Sequence, residues 1–249
     1  YGVKSAMSSV LAKKKCKNLI FVKPRFHRYK EISKKIKSIF FEYTDLVEPL
    51  SLDEAFLDVT KNKKKITFAS TVAKEIRAQI KRQIGLNCSA GISINKFLAK
   101  IATEINKPNG QKTIHPNHVD SFIDSLEIGK FFGVGKVTAK KMNDLGILYG
   151  KDLRKFEKVD LLKHFGKSGL HYFEIVRNIQ NNPVNPNRTR KSIGTEQTFS
   201  NDLSSESFIL EKLEQIAEDL ENRMKKNLNR GKTITVKIKY SDFTRETRR

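Results

Sequence analysis

The sequence has no apolar run that approaches the roughly 20 residues needed to cross a bilayer. Its start also lacks the positively charged and then apolar segment that marks a secretory signal peptide. Cysteine is scarce: Cys16 and Cys88 are the only two, and they lie too far apart to form a metal-spaced pair. We therefore expect no membrane association and a reduced, cytoplasmic compartment in which both thiols are buried.

Acidic side chains are few, with 27 against 49 basic ones and a formal net charge of +22. Such a surplus raises the self-repulsion of the folded chain unless a polyanion is near. Nucleic acid is the usual polyanion, because neutralised phosphates release counterions. A solvated coat of lysines is the alternative. Hydrophobic residues make up 38% of the 249, which is normal for a globular chain of two or three domains.

The first part of the chain alternates between helical and extended patterns. Apolar residues at helical spacing predict helices over residues 29–41, over 68–84 and from a cap at Ser93 to about Asn106. Short strands are predicted as a pair within 46–60, over 87–92 and over 111–115. This order predicts an α+β sheet domain with helices packed on one face.

The pattern then changes to short helices interrupted by glycine, with no strand signal over residues 119–180. We interpret this region as a separate helical domain. The Asn- and Pro-rich stretch 181–188 predicts an extended tether. Beyond it, a strand over 192–199, a helix over 205–228 and a half-buried strand over 233–240 predict part of a further α+β domain.

Two adjacent carboxylates, Asp53 and Glu54, lie between apolar residues of the predicted strand pair. A buried unpaired carboxylate is costly, so this pair requires a cation or a turn into solvent. Neighbouring strand residues point to opposite faces, so convergence on one metal ion requires a bend. A metal site and a solvated hairpin tip are equally compatible with the spacing.

The third predicted helix separates apolar from basic residues. At about 100° per residue, one face carries the apolar positions Ile94, Phe97, Leu98, Ile101 and Ile105. The opposite face carries three lysines, Lys96, Lys100 and Lys107. Three aligned lysines near a carboxylate pair would suit a nucleoside triphosphate with Mg²⁺. An ordinary solvated lysine face is the alternative.

Two glycine turns occur in the helical region. Gly133 and Gly135 precede a basic helical segment, and a weaker copy lies at residues 165–169. A Gly-x-Gly turn that begins a helix exposes backbone N–H groups, which can bind a phosphate without reading sequence. A tight packing turn is the alternative, but two such turns in a basic helical region favour binding of the DNA backbone.

Several segments together resemble the Y family of DNA polymerases, specifically the bacterial DNA polymerase IV branch. They are the palm segments 49–60 (PLSLDEAFLDVT), 89–102 (SAGISINKFLAKIA) and 106–110 (NKPNG), the fingers segment 1–7 (YGVKSAM), the thumb turn at Gly133, and the little-finger segments 190–194 (RKSIG) and 237–243 (KIKYSDF). The resemblance covers the whole chain in the expected order.

The resemblance implies roles for particular residues. Asp53 corresponds to a metal-binding aspartate, Glu54 to the glutamate beside the primer 3′ hydroxyl, and Lys107 to a lysine that contacts the incoming triphosphate. Two Mg²⁺ ions would serve the reaction. Contacts with the DNA backbone are expected from the following residues: Gly133, Gly135, Lys136, Lys140 and Lys191.

The implied fold is α+β and multidomain, with a ferredoxin-like palm, an all-helical thumb with helix-hairpin-helix turns, and an α+β little finger. The expected divisions are partial fingers at 1–25, palm at 26–115, thumb at 116–182, tether at 183–190 and partial little finger at 191–249. The family's first metal-binding aspartate would lie before Tyr1, and its clamp-binding peptide would lie after Arg249. We therefore expect the chain to be incomplete at both ends and inactive by itself.

The implied function is template-directed DNA synthesis in translesion synthesis and DNA repair. The implied partners are primer-template DNA, dNTPs and, through a C-terminal segment absent here, a sliding clamp; the protein is expected to be a monomer. A non-catalytic helix-hairpin-helix DNA-binding protein is the alternative. A polymerase relative with a decayed site is a third possibility, against which the intact Asp53 and Glu54 argue.

Overall fold

Residues 1–180, 182–226 and 228–249 are described by a computed structural model. They divide into two units, Tyr1–Asn187 and Arg188–Arg249, so the division falls within the predicted tether. The first residue of the Asn- and Pro-rich stretch, Asn181, and one residue of the predicted helix 205–228, Asn227, lie outside the described residues.

The first unit begins with four helices that alternate with short strands. The helices are α1 (Ser9–Lys15), α2 (Phe26–Phe41), α3 (Ala69–Ile84) and α4 (Lys96–Ile105). Apolar residues of α2 and α3, among them Ile39, Ile76 and Ile80, meet in one buried cluster. Helix α3 ends where the sequence predicts, because Gly85 adopts a left-handed conformation with φ of 81°. The predicted helices 29–41 and 68–84 are therefore confirmed.

Four strands accompany these helices, namely β1 (Val47–Pro49), β2 (Ala55–Leu57), β3 (Ala90–Ile92) and β4 (Gln111–Thr113). Strands β1 and β2 pair antiparallel, with Glu48 opposite Phe56. Strands β3 and β4 pair in parallel, with Gly91 opposite Lys112. Among the described residues the two pairs remain separate two-stranded sheets. The mixture of helices and strands confirms the α+β class.

Helix α4 differs from its prediction in its cap and its buried face. Asn95, rather than Ser93, caps the helix, since its side chain accepts a hydrogen bond from the Leu98 N–H at 2.9 Å. Ser93 instead donates to the carbonyl of Ile114 at 3.0 Å. Ile94 precedes the helix and is 51% exposed, and Ile105 at its end is 47% exposed. The buried face consists of Phe97, Leu98, Ile101 and Ala102.

Five short helices follow, as the glycine-interrupted pattern predicts. They are α5 (Val119–Ser125), α6 (Lys136–Asp144), α7 (Gly150–Arg154), α8 (Lys158–Phe165) and α9 (Lys167–Val176). Their apolar residues share one buried cluster with α4, in which the rings of Phe97 and Phe131 lie 5.3 Å apart. The helical region is therefore packed directly against the helix that carries Lys96 and Lys100.

The second unit contains α10 (Glu206–Lys226), β5 (Val236–Lys239) and β6 (Arg245–Arg248), with the two strands antiparallel. The predicted strand over 192–199 is wrong, because that segment has no hydrogen-bonded partner strand among the described residues. The predicted strand over 233–240 was expected to bury one apolar face, and this is also wrong. Its apolar side chains stay largely open to solvent: Ile234 is 80% exposed, and Ile238 and Tyr240 are about half exposed. Strand β6 was not predicted, because its charged residues do not alternate with apolar ones.

The scarcity of cysteine and of long apolar runs led to expectations about the two thiols and about membrane-spanning helices. Cys16 and Cys88 are free but half-buried rather than buried, and partial burial raises the pKa of the Cys88 thiol. No helix among residues 1–180, 182–226 and 228–249 is long and apolar enough to span a membrane.

Candidate active site

The predicted carboxylates lie in the loop between β1 and β2, which we call the acidic loop (residues 50–54). The loop closes on itself, because the backbone N–H groups of Leu50 and Ser51 both donate to the carbonyl of Glu54, at 2.9 and 3.3 Å. Ser51 Oγ donates to Asp53 Oδ1 at 2.6 Å. The bend that metal binding would require is therefore present. It leaves Asp53 exposed and Glu54 half-buried.

Lysines of α4 and of the turn that follows it form ion pairs beside the acidic loop. Lys100 Nζ lies 2.5 Å from Glu54 Oε1 and 3.7 Å from Glu104 Oε1. Lys107 Nζ lies 2.7 Å from the same Glu104 oxygen. Positive and negative groups thus alternate in the order Glu54, Lys100, Glu104, Lys107. The Lys100 side chain is only 16% exposed, so this pairing is better shielded from solvent than a surface ion pair.

The pKa of Lys107 reflects the charged groups around it. The hydrogen bond to Glu104 raises the pKa of Lys107 above its ordinary value; partial burial opposes this, and the charges of Glu104, Glu54 and Asp53 add to the increase. Lys107 is therefore a cation at neutral pH, and its charge interacts with both predicted metal-binding carboxylates. Glu104 was missed by the sequence reasoning, although it lies four residues after Lys100 on the predicted helix, a spacing that favours an ion pair.

Lys96 does not join this group, which corrects the prediction of three lysines aligned for one ligand. Its ammonium pairs with Glu48 Oε2 of β1 at 2.7 Å, and the two side chains are only 13% and 10% exposed. The same Glu48 oxygen accepts a hydrogen bond from the Asn185 N–H at 2.9 Å. Lys96 also lies 5.7 Å from the centre of the Phe56 ring. It therefore links β1 to α4 instead of facing a ligand.

The acidic loop offers only oxygen donors, which suits a hard divalent cation such as Mg²⁺. Among the described residues no group of three or more His, Cys, Asp or Glu side chains is arranged to hold a metal ion. Mg²⁺ commonly uses only one or two carboxylates and completes its shell with waters and substrate phosphates. The exposed Asp53 and the adjacent Glu54 fit that requirement.

The first glycine turn, Gly133 to Gly135, lies where α6 begins. Gly133 has φ of 92°, and Gly135 occupies the cap position without any side-chain cap. A Cβ at either glycine would meet no atom within 4 Å, so packing is not what requires glycine here. The first N–H groups of α6 therefore have no side-chain cap, and Gly135 and Lys136 beside them are exposed. Lys140 is also exposed and pairs with Asp144 at 2.8 Å.

The second glycine turn has a different role from the first. A Cβ on Gly169 would lie 2.0 Å from the carbonyl oxygen of Leu161, so this glycine permits close packing of α8 against α9. The interpretation of residues 165–169 as a second open phosphate-binding turn is therefore wrong for Gly169. Lys141 ties this region to α6 through a hydrogen bond to the His164 carbonyl.

The structure brings together some of the predicted site residues. Asp53, Glu54 and Lys107 belong to one electrostatic group. The first glycine turn adjoins that group, because Lys100 lies 5.9 Å from the ring centre of Phe132, the residue before Gly133. Lys191 is exposed and lies outside the helices and strands described in the second unit.

Family models match most of the chain. The impB/mucB/samB family matches residues 1–104, the IMS family HHH motif matches 116–147, and the C-terminal domain of the impB/mucB/samB family matches 190–249. DNA polymerase IV 2 of Agrobacterium fabrum is 50% identical over 248 residues, covering 100% of this chain and 70% of that protein. DNA polymerase IV of Clostridioides difficile is 49% identical over 249 residues, covering 100% and 68%.

Solved structures agree with these matches. A chimeric Y-family DNA polymerase built from Dbh and Dpo4 superimposes with a TM-score of 0.88 at 29% identity, covering 99% of this chain and 71% of that one. An insertion ternary complex of Dbh DNA polymerase superimposes with a TM-score of 0.72 at 28% identity, covering 99% and 71%. DinB from Sulfolobus solfataricus gives 0.69 at 26% identity, covering 99% and 72%.

Proposed function

Because the chain belongs to the Y family of DNA polymerases, in the DNA polymerase IV branch, we propose that its acidic loop carries out nucleotide transfer on primed DNA, which its glycine turn helps to hold. Its function is template-directed, translesion DNA synthesis, and it is a DNA-directed DNA polymerase. The observation that carries the proposal is the bend that presents Asp53 and Glu54 beside Lys100 and Lys107.

Divalent metal dependence follows from the family, and we propose that the ions are two Mg²⁺ held by Asp53 and Glu54. Mg²⁺ bound there would supply the positive charge that activates the primer hydroxyl and stabilises the departing pyrophosphate. Asp53 offers its exposed carboxylate, whose Oδ1 is oriented by Ser51 at 2.6 Å. Glu54 is held by Lys100, whose charge offsets the repulsion between the two adjacent carboxylates.

Lys107 is proposed to bind the incoming triphosphate. Its raised pKa keeps the ammonium charged, and its position near Asp53 and Glu54 would bring the phosphates next to the metal-binding carboxylates. Phosphoryl transfer is catalysed mainly by positioning and charge neutralisation, which is what a fixed lysine supplies. Glu104 holds the Lys107 ammonium at 2.7 Å and so sets where that charge lies.

We propose that the remaining site residues hold the DNA backbone. The free N–H groups beyond Gly133 and Gly135, with Lys136, Lys140 and Lys191, would contact phosphates without reading sequence. The proposed divisions are the partial fingers at 1–25, the ferredoxin-like palm at 26–115, the thumb at 116–182, the tether at 183–190 and the partial little finger at 191–249. Primer-template DNA and dNTPs are the proposed partners, which the similarity to an insertion ternary complex of Dbh DNA polymerase supports.

The proposal extends to the oligomeric state, recruitment and location of the protein. The protein acts as a monomer, since one chain carries both the acidic loop and the glycine turn. It is recruited by a sliding clamp, which the family resemblance supports. It works in the cytoplasm, because its curated relatives are bacterial and bacterial DNA lies there.

Primer extension by the complete gene product tests the proposal. Asp53→Asn should lower the rate of incorporation by about 100-fold or more, because it removes charge that stabilises the transition state, while DNA affinity stays near wild type. Asp45→Asn is the matched control, since Asp45 is 80% exposed and pairs only with Lys63 among the ion pairs of the described residues. A variant Asp53→Asn that extends primers within about threefold of wild type would overturn the assignment. DNA binding without extension by the wild type would favour the non-catalytic DNA-binding protein instead.

A further inference from the structure

Arg77 on α3 bonds two chain segments that are distant from it in sequence. Its Nε donates to the carbonyl of Cys88 at 2.9 Å, just before β3. Its Nη2 donates to the carbonyl of Asn109 at 2.6 Å, just before β4. Because β3 and β4 are parallel, both strands start at the same end of the sheet, and one guanidinium holds both starts together.

The second of these segments is the turn that follows Lys107. Asn109 has φ of 49°, an uncommon left-handed conformation for a residue other than glycine. A Cβ on Gly110 would lie 1.8 Å from the Asn106 carbonyl, so the turn folds tightly against the end of α4. Gly110 bonds back to the β3 side: its N–H donates to Ser89 Oγ at 3.3 Å, and its carbonyl accepts from the Ala90 N–H at 3.0 Å.

Lys107 therefore lies between two chain positions that are held by polar contacts, one made by Glu104 and one made by Arg77. On its helical side, Glu104 holds its ammonium at 2.7 Å. On its turn side, Arg77 bonds to both the carbonyl and, at 3.2 Å, the side-chain oxygen of Asn109. A half-buried guanidinium that makes these bonds resists movement of the turn more than a single neutral hydrogen bond would. Arg77 lies on α3, and among the described residues its hydrogen bonds go to Cys88 and Asn109 rather than to the acidic loop, so its influence on nucleotide binding must pass through this turn.

We propose that Arg77 is a positioning residue that sets the location of Lys107 through the Asn109 turn, and so tunes the affinity of the enzyme for the incoming nucleotide. The inference rests on the proposed role of Lys107 as a triphosphate contact. Loss of Arg77 releases the turn, lets the Lys107 ammonium spread over more positions, and raises the KM for dNTP more than it lowers kcat.

The test is a double-mutant cycle in the complete gene product, with single-nucleotide incorporation measured over a range of dNTP concentrations. Arg77→Met keeps the aliphatic stem and removes the donors; we expect the KM for dNTP to rise about five- to tenfold, the size of one or two lost hydrogen bonds. Arg82→Met on the same helix is the matched control, because Arg82 is exposed, and should leave KM unchanged. Lys107→Met alone should raise KM at least as much as Arg77→Met.

The decisive variant is Arg77→Met combined with Lys107→Met. A residue that acts only through Lys107 has no further effect once Lys107 has lost its charge, so the double variant should match Lys107→Met. If the two effects multiply instead, Arg77 acts elsewhere and the inference is overturned. If Lys107→Met leaves KM unchanged while Asp53→Asn abolishes incorporation, the role of Lys107 and the inference both fail, but the enzyme assignment stands. Should Arg77→Met fail to fold, Arg77→Lys keeps the charge but has a single donor nitrogen, which cannot replace both Nε at Cys88 and Nη2 at Asn109 in the same geometry. An unchanged KM in that variant would also overturn the inference.

Discussion

Removal of the Lys96 ammonium should destabilise the first unit substantially. Lys96 and Glu48 lie 2.7 Å apart with side chains only 13% and 10% exposed, so Lys96→Met removes a close countercharge from a mostly buried carboxylate. Breaking such a pair typically costs about 3–5 kcal/mol. Glu48 keeps the hydrogen bond from the Asn185 N–H, so we expect the lower end, about 3 kcal/mol.

Urea unfolding followed by far-UV circular dichroism measures this loss. With an m-value near 3 kcal/mol/M, a loss of about 3 kcal/mol lowers the unfolding midpoint by about 1 M. Lys130→Met is the matched control, because the Lys130–Glu127 pair is 64% and 55% exposed and should contribute little. Glu48→Gln combined with Lys96→Met should recover most of the stability, since neither charge of the pair then remains buried. An unchanged midpoint for Lys96→Met would refute the reasoning, because it would mean that the pair is solvated.

Three further predictions concern the helical region and the last unit. Lys136→Ala and Lys140→Ala should each weaken duplex binding equally on all sequences and flatten the slope of log affinity against log salt by about one, measured by fluorescence anisotropy. A changed sequence preference with an unchanged slope would contradict a backbone contact. Lys191→Ala should behave in the same way in that assay. Gly169→Ala should lower stability by about 1–3 kcal/mol in urea, because its Cβ would meet the Leu161 carbonyl, whereas Gly129→Ala meets no atom within 4 Å. Equal stability of the two glycine variants would contradict the close packing of α8 and α9.

Patterns that depend on local sequence were predicted well. The apolar spacing of α3 and the glycine at its end placed that helix within one residue, because periodicity and a left-handed cap are both local properties. The strand pair around Asp53 and Glu54 was also found, since its apolar flanks and acidic centre lie within one short segment. The family resemblance then supplied the roles that spacing alone left open.

Features that depend on a distant partner were not predicted. Helical spacing placed Lys96 and Lys100 together, but their partners, Glu48 and Glu54, lie on the β1–β2 hairpin, more than forty residues away. The strand predicted over 192–199 has the right residue types, yet a strand exists only where a neighbour accepts and donates its hydrogen bonds. No sequence pattern near Arg77 predicted its contacts, because the parallel pairing of β3 and β4 brings both segments that it joins to it.

Asp53 and Glu54 are proposed to hold the metal ions used in nucleotide transfer. Mn²⁺ titration followed by electron paramagnetic resonance, on the complete gene product with primer-template DNA and a non-hydrolysable dNTP, tests it directly. We expect about two tightly bound ions per wild-type complex. We expect fewer in Asp53→Asn and weaker binding in Glu54→Gln, with DNA affinity retained in both. Unchanged Mn²⁺ stoichiometry and affinity in both variants would contradict the claim and place the metal site elsewhere.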